Sequence, residues 1–163
     1  MIEAVTFVSQ RGICHGECLM RTFESDDGFV VIRLDKGDLV LESIEAACEQ
    51  HDVDTGAVVS GIGTLSHLHV HYLHTADLEA ERSDRNTFFE DDGCWEISAI
   101  QGMIADGTPH LHVTAWDGET SVAGHLEEGN VINALGEILI RKIDGLKLTR
   151  RPDQYNVSML EER

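Results

Sequence analysis

Three histidines fall in the segment PHLHVTAWDGETSVAGHL, residues 109–126. His110 and His112 are one residue apart, so on an extended strand they share a face. His125 lies beyond Asp117-Gly118, a favoured centre for a two-residue type I′ hairpin turn. A turn placed there pairs Trp116 with Glu119 and, counting outward, sets His125 directly opposite His110. Leu111, Val113 and Ala115 then take the other face, as core residues should. Directly opposed Cβ atoms lie about 4.5–5.5 Å apart and same-face neighbours on one strand about 6.5 Å apart, so three imidazoles on this triangle can converge on one ion. Zinc suits the set, because it accepts imidazole nitrogen and three protein ligands leave a fourth position for water or substrate. The residues alone leave a second reading open. His-x-His also marks an exposed alternating strand with His125 as an unrelated loop residue, and a slip of one residue in the hairpin breaks the facing pair.

The elements that must hold these histidines are mostly strands. FVVIRL (29–34) reads as a strand, followed by Asp38 as the cap of a helix reaching about His51. Val40, Leu41, Ile44, Ala47 and Cys48 recur at helical spacing, with Glu42, Glu45 and Glu49 outside. GAVVSGIGTL (56–65) reads as a buried strand interrupted at Gly61 and Gly63, and HLHVHYL (67–73) as a second, alternating run. The polar stretch 75–93 reads as a long hairpin tip or mobile loop. CWEISAIQGMIA, PHLHVTAW and SVAGHL form three strands parted by Asp106-Gly107 and Asp117-Gly118. A short helical turn at 130–135 then precedes a strand at 137–143. The expected fold is a single α+β domain, a largely antiparallel mixed β-sheet with one main helix. Residues 1–28 are an extension or first strand, 29–150 the domain, and 151–163 a loose polar tail.

Composition narrows the function. The 163 residues carry 30 acidic and 12 basic side chains, for a net charge of -18. Such a surface repels phosphate backbones, so DNA is a poor expected partner. It also fits a halophilic cytoplasm, where salt screens carboxylate repulsion. No apolar run approaches the roughly 20 residues that cross a bilayer, and the N-terminus lacks a signal-peptide pattern, so the expectation is a cytoplasmic protein with no membrane partner. Cys14, Cys18, Cys48 and Cys94 are sparse and are read as free thiols.

Several segments resemble a known family. SGIGTL (60–65), WEISAIQGMI (95–104), DGTPHLHVTAWDG (106–118) and AGHLEEGNVINALGE (123–137) are together similar to the PPC domain, "plants and prokaryotes conserved", with Pro-His-Leu-His followed by Gly-His-Leu the most specific part. The resemblance covers about residues 29–150. It implies a homotrimer, with His110, His112 and His125 as metal ligands. The family in turn resembles acetolactate decarboxylase in fold and in its His-x-His plus distant His set. That second likeness implies zinc or another divalent transition metal, and raises the alternative of a lyase-like enzyme acting on a small oxo or hydroxy acid beside the reading as a small-ligand-binding or regulatory module. Among the carboxylates of the matching segments, Glu96 and Glu137 are the candidates for catalytic proton transfer or for orienting an imidazole. Members of the family are often called DNA-binding, so the resemblance also carries a DNA-binding regulator as a further alternative; plant relatives join this domain to an AT-hook, and this chain has no such motif, since Arg150-Arg151-Pro152 lacks the central glycine.

Other candidates are plainer. His67, His69 and His71 alternate, with His74 beyond, as a second metal row, a pH-responsive face or simply a polar sheet face or subunit contact. Cys14-His15-x-x-Cys18 lacks a second cysteine pair for structural zinc. Gly61-x-Gly63 is too short for a dinucleotide loop. The late basic residues Arg141, Lys142, Lys147, Arg150 and Arg151 are the only positive cluster in an acidic chain.

Overall fold

The computed structural model describes residues 20–163, so the Cys14-His15-x-x-Cys18 motif lies outside the described residues. The chain runs β1 (Arg21–Glu24), β2 (Phe29–Asp35), α1 (Val40–Gln50), β3 (Thr55–Leu73), the single turn α2 (Arg82–Arg85), β4 (Asn86–Ala105), β5 (Thr108–Trp116), β6 (Ser121–Leu126), β7 (Val131–Lys142), β8 (Leu148–Pro152) and β9 (Ser158–Glu162). Strands β1 to β7 form one 7-stranded sheet in the order β1-β2-β7-β3-β4-β5-β6, and β8 with β9 form a small second sheet. Every pairing is antiparallel. The single α+β domain with one main helix therefore stands as expected, although among the described residues no parallel pair makes the sheet mixed.

Alternation explains which face is inside. Val30, Ile32 and Leu34 of β2 and Ile138 and Ile140 of β7 are buried beneath α1, which contributes Val40, Ile44, Ala47 and Cys48. Burial pushes the Cys48 thiol up to about 12, so it packs as an apolar group. The other half of the core is Leu65, Leu68, Trp95, Ile100, Leu111 and Leu126, each no more than 2% exposed. Side chains of this size contribute roughly 1.5–3 kcal/mol apiece when buried.

Five expectations need correction. Asp38 does not cap α1; the N-cap is Leu39, and the Asp38 carboxylate accepts the Asp35 N–H at 2.8 Å, closing the turn before the helix. The two runs at 56–73 are one strand of 19 residues, whose irregularities are absorbed by register shifts near Val58, Gly63 and Leu65 instead of a break. Residues 86–93 belong to β4, because HLHVHYL offers them a full ladder from His67↔Asp92 to Leu73↔Asn86, so the connection shortens to residues 74–85. Residues 131–135 are strand, since Val131 and Ile132 pair with His67 and Leu65. Residues 158–162, expected to be loose, pair with 148–152.

The sheet also curls back on itself. Beyond the start of β7, the free edge of β3 is taken up by β6, with Val70 opposite Leu126 and His71 opposite His125. Gly124 makes this possible, because a Cβ there would lie 2.6 Å from the His71 carbonyl oxygen. Asn130, fully buried, splices the junction: its Nδ2 donates to the carbonyls of His69 and Glu127 at 2.9 and 2.7 Å, and its Oδ1 accepts the His69 N–H at 2.9 Å.

Candidate metal centre

The hairpin that carries the histidines turns differently from the simplest expectation. Trp116 pairs with Ser121, leaving a four-residue loop, so His112 and not His110 lies opposite His125. The reason is Asp117, whose Oδ1 accepts the N–H groups of Glu119 and Thr120 at 2.8 and 2.7 Å and favours the wider turn. The slip is two residues, an even number, so no side chain changes face. All three histidines still meet.

The ligand-type atoms of His110, His112 and His125 lie within 4.8 Å of one another. The His110 and His112 rings are parallel at 5.7 Å, and His125 stands edge-on to both, its centroid 4.8 and 5.7 Å away. His110 and His125 are half-buried and His112 is exposed, so the cluster opens to solvent on one side. Burial, then the positive charges that His110 and His71 would carry, lower His125 to about 4. Burial, then the charge of Arg150, lowers His110 as well. These two rings are therefore neutral near pH 7, the form in which imidazole offers a lone pair to a metal. Donor type, convergence and protonation state all fit a zinc-type ion.

Two further groups reach this place. The closure of β6 on β3 brings the His71 ring to 4.7 Å from that of His125, and His71 Nδ1 donates to Glu127 Oε1. Arg150, on β8, lies near enough for its charge to act on His110, and its Nε is buried with no hydrogen-bond partner. The alternating row divides: His67 is bound to Asp92 and Glu90, and His69 to the Glu128 carbonyl, while only His71 joins the cluster.

Glu96 and Glu137 are not brought to the histidines. Glu96 is exposed on β4 opposite Trp116, which is four residues beyond His112, about 13 Å along the strand. Glu137 is exposed on β7 between Arg33 and Ile62. The carboxylate beside the cluster is Glu127. Alternation could have found it, since Glu127 is two residues past His125; the approach of His71 depends on a strand pairing that no local pattern announces.

Three of the basic residues late in the chain are engaged by neighbours. Arg141 stacks over Phe29 at 4.7 Å, Lys142 pairs with Glu24 at 2.7 Å, and Arg151 with Glu161 at 3.7 Å. Among the described residues, no helix is long and apolar enough to cross a membrane.

Comparison with known proteins agrees with this fold. The Plants and Prokaryotes Conserved (PCC) domain matches residues 21–144. A plant- and prokaryote-conserved (PPC) protein of Pyrococcus horikoshii superposes with a TM-score of 0.68 at 25% identity, covering 89% of this chain and 96% of that one. A Bacteroides thetaiotaomicron protein, named for a proposed DNA binding, superposes with a TM-score of 0.75 at 16% identity over 88% of this chain and 97% of its own. A protein of Archaeoglobus fulgidus named as metal-containing does so at 0.66, with 19% identity over 85% and 94%. In sequence, the bifunctional protein GlmU of a Synechococcus strain is 28% identical over 125 residues, 75% of this chain; the chain spans only 18% of that protein's length.

Proposed function

The chain belongs to the Plants and Prokaryotes Conserved (PCC) domain family, and from that premise we propose that it is a metal-centred binding module. His110, His112 and His125 hold one zinc-type ion, and the ion together with Arg150 binds a small carboxylate. The observation that carries this reading is the convergence of three imidazoles from two adjacent strands. A bound zinc ion supplies a Lewis-acid position open to an exogenous oxygen. Arg150 supplies what zinc does not, a directional guanidinium whose buried Nε still has a hydrogen to donate. The metal-containing name of the Archaeoglobus fulgidus neighbour supports the same reading.

Zinc content and ligand binding test it. Untagged protein dialysed free of loose metal should retain zinc, and His110→Ala should hold one equivalent fewer per 18.0 kDa chain. By calorimetry, the zinc-loaded protein should bind a short 2-oxo or 2-hydroxy acid, and Arg150→Gln should weaken that binding about tenfold, as expected for losing one charge-assisted hydrogen bond. Protein that takes up no zinc when it is supplied would sink the proposal. The enzymatic alternative, a metal-assisted reaction of such an acid, would draw on Glu127 as its nearby carboxylate, and turnover by the zinc-loaded protein distinguishes it from binding alone.

The module is proposed to act as a homotrimer. Support comes from the outer face of the sheet, where Phe23, Val31, Ile62 and Leu135 are 40–57% exposed on four neighbouring strands. An apolar face of this kind suits a second copy of itself. Light scattering should give about three chain masses, falling to one for Ile62→Glu; a monomeric wild type overturns this part. DNA is not part of the reading, given the net charge and the paired state of Lys142 and Arg151. A cytoplasmic setting is, supported by Cys94, which is exposed and free among the described residues.

A further inference from the structure

We propose that the centre holds two cations, with His125 bridging them and His71 and Glu127 binding the second. This rests on the three-histidine reading above and extends it.

The geometry shows two foci instead of one. The ligand-type atoms of His110, His112 and His125 lie within 4.8 Å of one another, and so do those of His71, His125 and Glu127. Only His125 belongs to both sets, so His71 is not simply a fourth ligand of the first position. An imidazole has two nitrogens on opposite sides of its ring, and one can serve each ion once the remaining N–H proton has passed to solvent. The His71 and His110 rings flank that of His125 at 4.7 and 4.8 Å. A side chain placed between two near-equidistant donor groups in this way is suited to bridge.

The second set is built into the backbone. His71 is fixed opposite His125 by the closing pair of strands. Glu127 is pinned at both backbone groups: its N–H donates to the His69 carbonyl at 3.2 Å, and its carbonyl accepts the Asn130 amide at 2.7 Å. Its carboxylate adds the negative charge that the first set lacks, which suits a second divalent ion beside the first. Two imidazoles and one carboxylate are a common zinc donor set, with a fourth position left for water or for the ligand's second oxygen. A small carboxylate could then span both ions, the clamp arrangement of two-metal centres.

Equilibrium dialysis of the untagged protein against saturating zinc, read by elemental analysis, tests the inference. The wild type should bind two equivalents per chain. His71→Ala and Glu127→Gln should each bind one, and His110→Ala should keep the one at the second position. Copper(II) gives a readout that stoichiometry cannot imitate: two ions joined through one imidazole couple magnetically, so the wild type's resonance intensity falls well below two spins. Glu127→Gln should restore a full single-ion signal. A wild type that saturates at one equivalent, unchanged in His71→Ala and Glu127→Gln, overturns the second position and leaves the three-histidine site standing. Two equivalents with uncoupled copper spins overturn the bridge. No zinc at all overturns both readings.

Discussion

Replacing His125 with alanine should abolish tight zinc binding, weakening retention at least 100-fold, because this ring is shared by both sets of donors. Loss of an outer partner of a metal ligand already costs about 10–100-fold, and loss of the ligand itself costs more. Competition against a chromogenic chelator reads the change directly. The same variant alters the pH dependence of the metal-free protein. Burial lowers His125 to about 4 from an ordinary 6.5. The unfolded chain therefore binds a proton that the folded one refuses between these values, and stability rises with pH through that window. His125's contribution is fully present above about pH 6.5 and is lost as pH falls toward 4. The ring is only half-buried, so solvent reduces the effect to roughly 1 kcal/mol. Urea unfolding of metal-free wild type and His125→Ala at pH 7 and pH 4.5 should show the wild type losing that much more. Equal losses in the two proteins would show that solvent keeps the ring's titration close to its unfolded course.

Gly102→Ala should be strongly damaging although it lies away from the ligands. Gly102 lies on β4 opposite Leu111, with φ at +156°. A Cβ at this position would meet the His110 carbonyl oxygen at 2.1 Å and the Leu111 Cα at 3.0 Å. Both obstacles are backbone, so relief requires β4 and β5 to separate where His110 is anchored. A cost of about 3 kcal/mol follows from overpacking and backbone strain together. For a chain of this size it lowers Tm by roughly 6–12 °C. Zinc affinity should fall with it, since His110 rides on the displaced segment. Gly107→Ala is the control: its φ is +72° but nothing lies within 4 Å of the added carbon, so the cost there should stay near 1 kcal/mol. A Gly102→Ala protein with wild-type Tm and affinity would mean that β5 shifts freely at this point.

How much was legible in the sequence depends on whether the deciding interaction was local. Alternation gave the faces of β5 and β6, and an even slip in the turn preserved them even though the opposed pair changed from His110 to His112. Helical spacing gave α1, but its first residue was misplaced because Asp38 can serve a turn as well as a cap. The strand character of residues 86–93 was hidden by their acid content. Glu90, Asp91 and Asp92 read as loop until their partner, the His67–His71 run, is known. Asn133 to Leu135 likewise become strand only through distant partners: Leu135 pairs with Asp35 of β2, and the Ala134 N–H finds the Thr64 hydroxyl of β3 at 3.2 Å. The candidate site divides along the same line. Its three adjacent-strand histidines could be named from spacing and resemblance, whereas His71 and Arg150 arrive by long-range packing. Glu96 and Glu137 were selected because they lie in family-like segments, and such membership does not place a side chain.

The return of β6 to the edge of β3 also sets an order of assembly. His110, His112 and His125 sit on one hairpin with a four-residue loop, and isolated hairpins form in about 1–10 μs. His71 comes from far earlier in the chain and reaches His125 only when the curled sheet closes, which costs the entropy of a long loop. The proposed first metal position can therefore assemble in a nascent chain before the curled end of the sheet is complete. The proposed second position belongs to the finished fold, because His71 meets His125 only across the β3–β6 pairing.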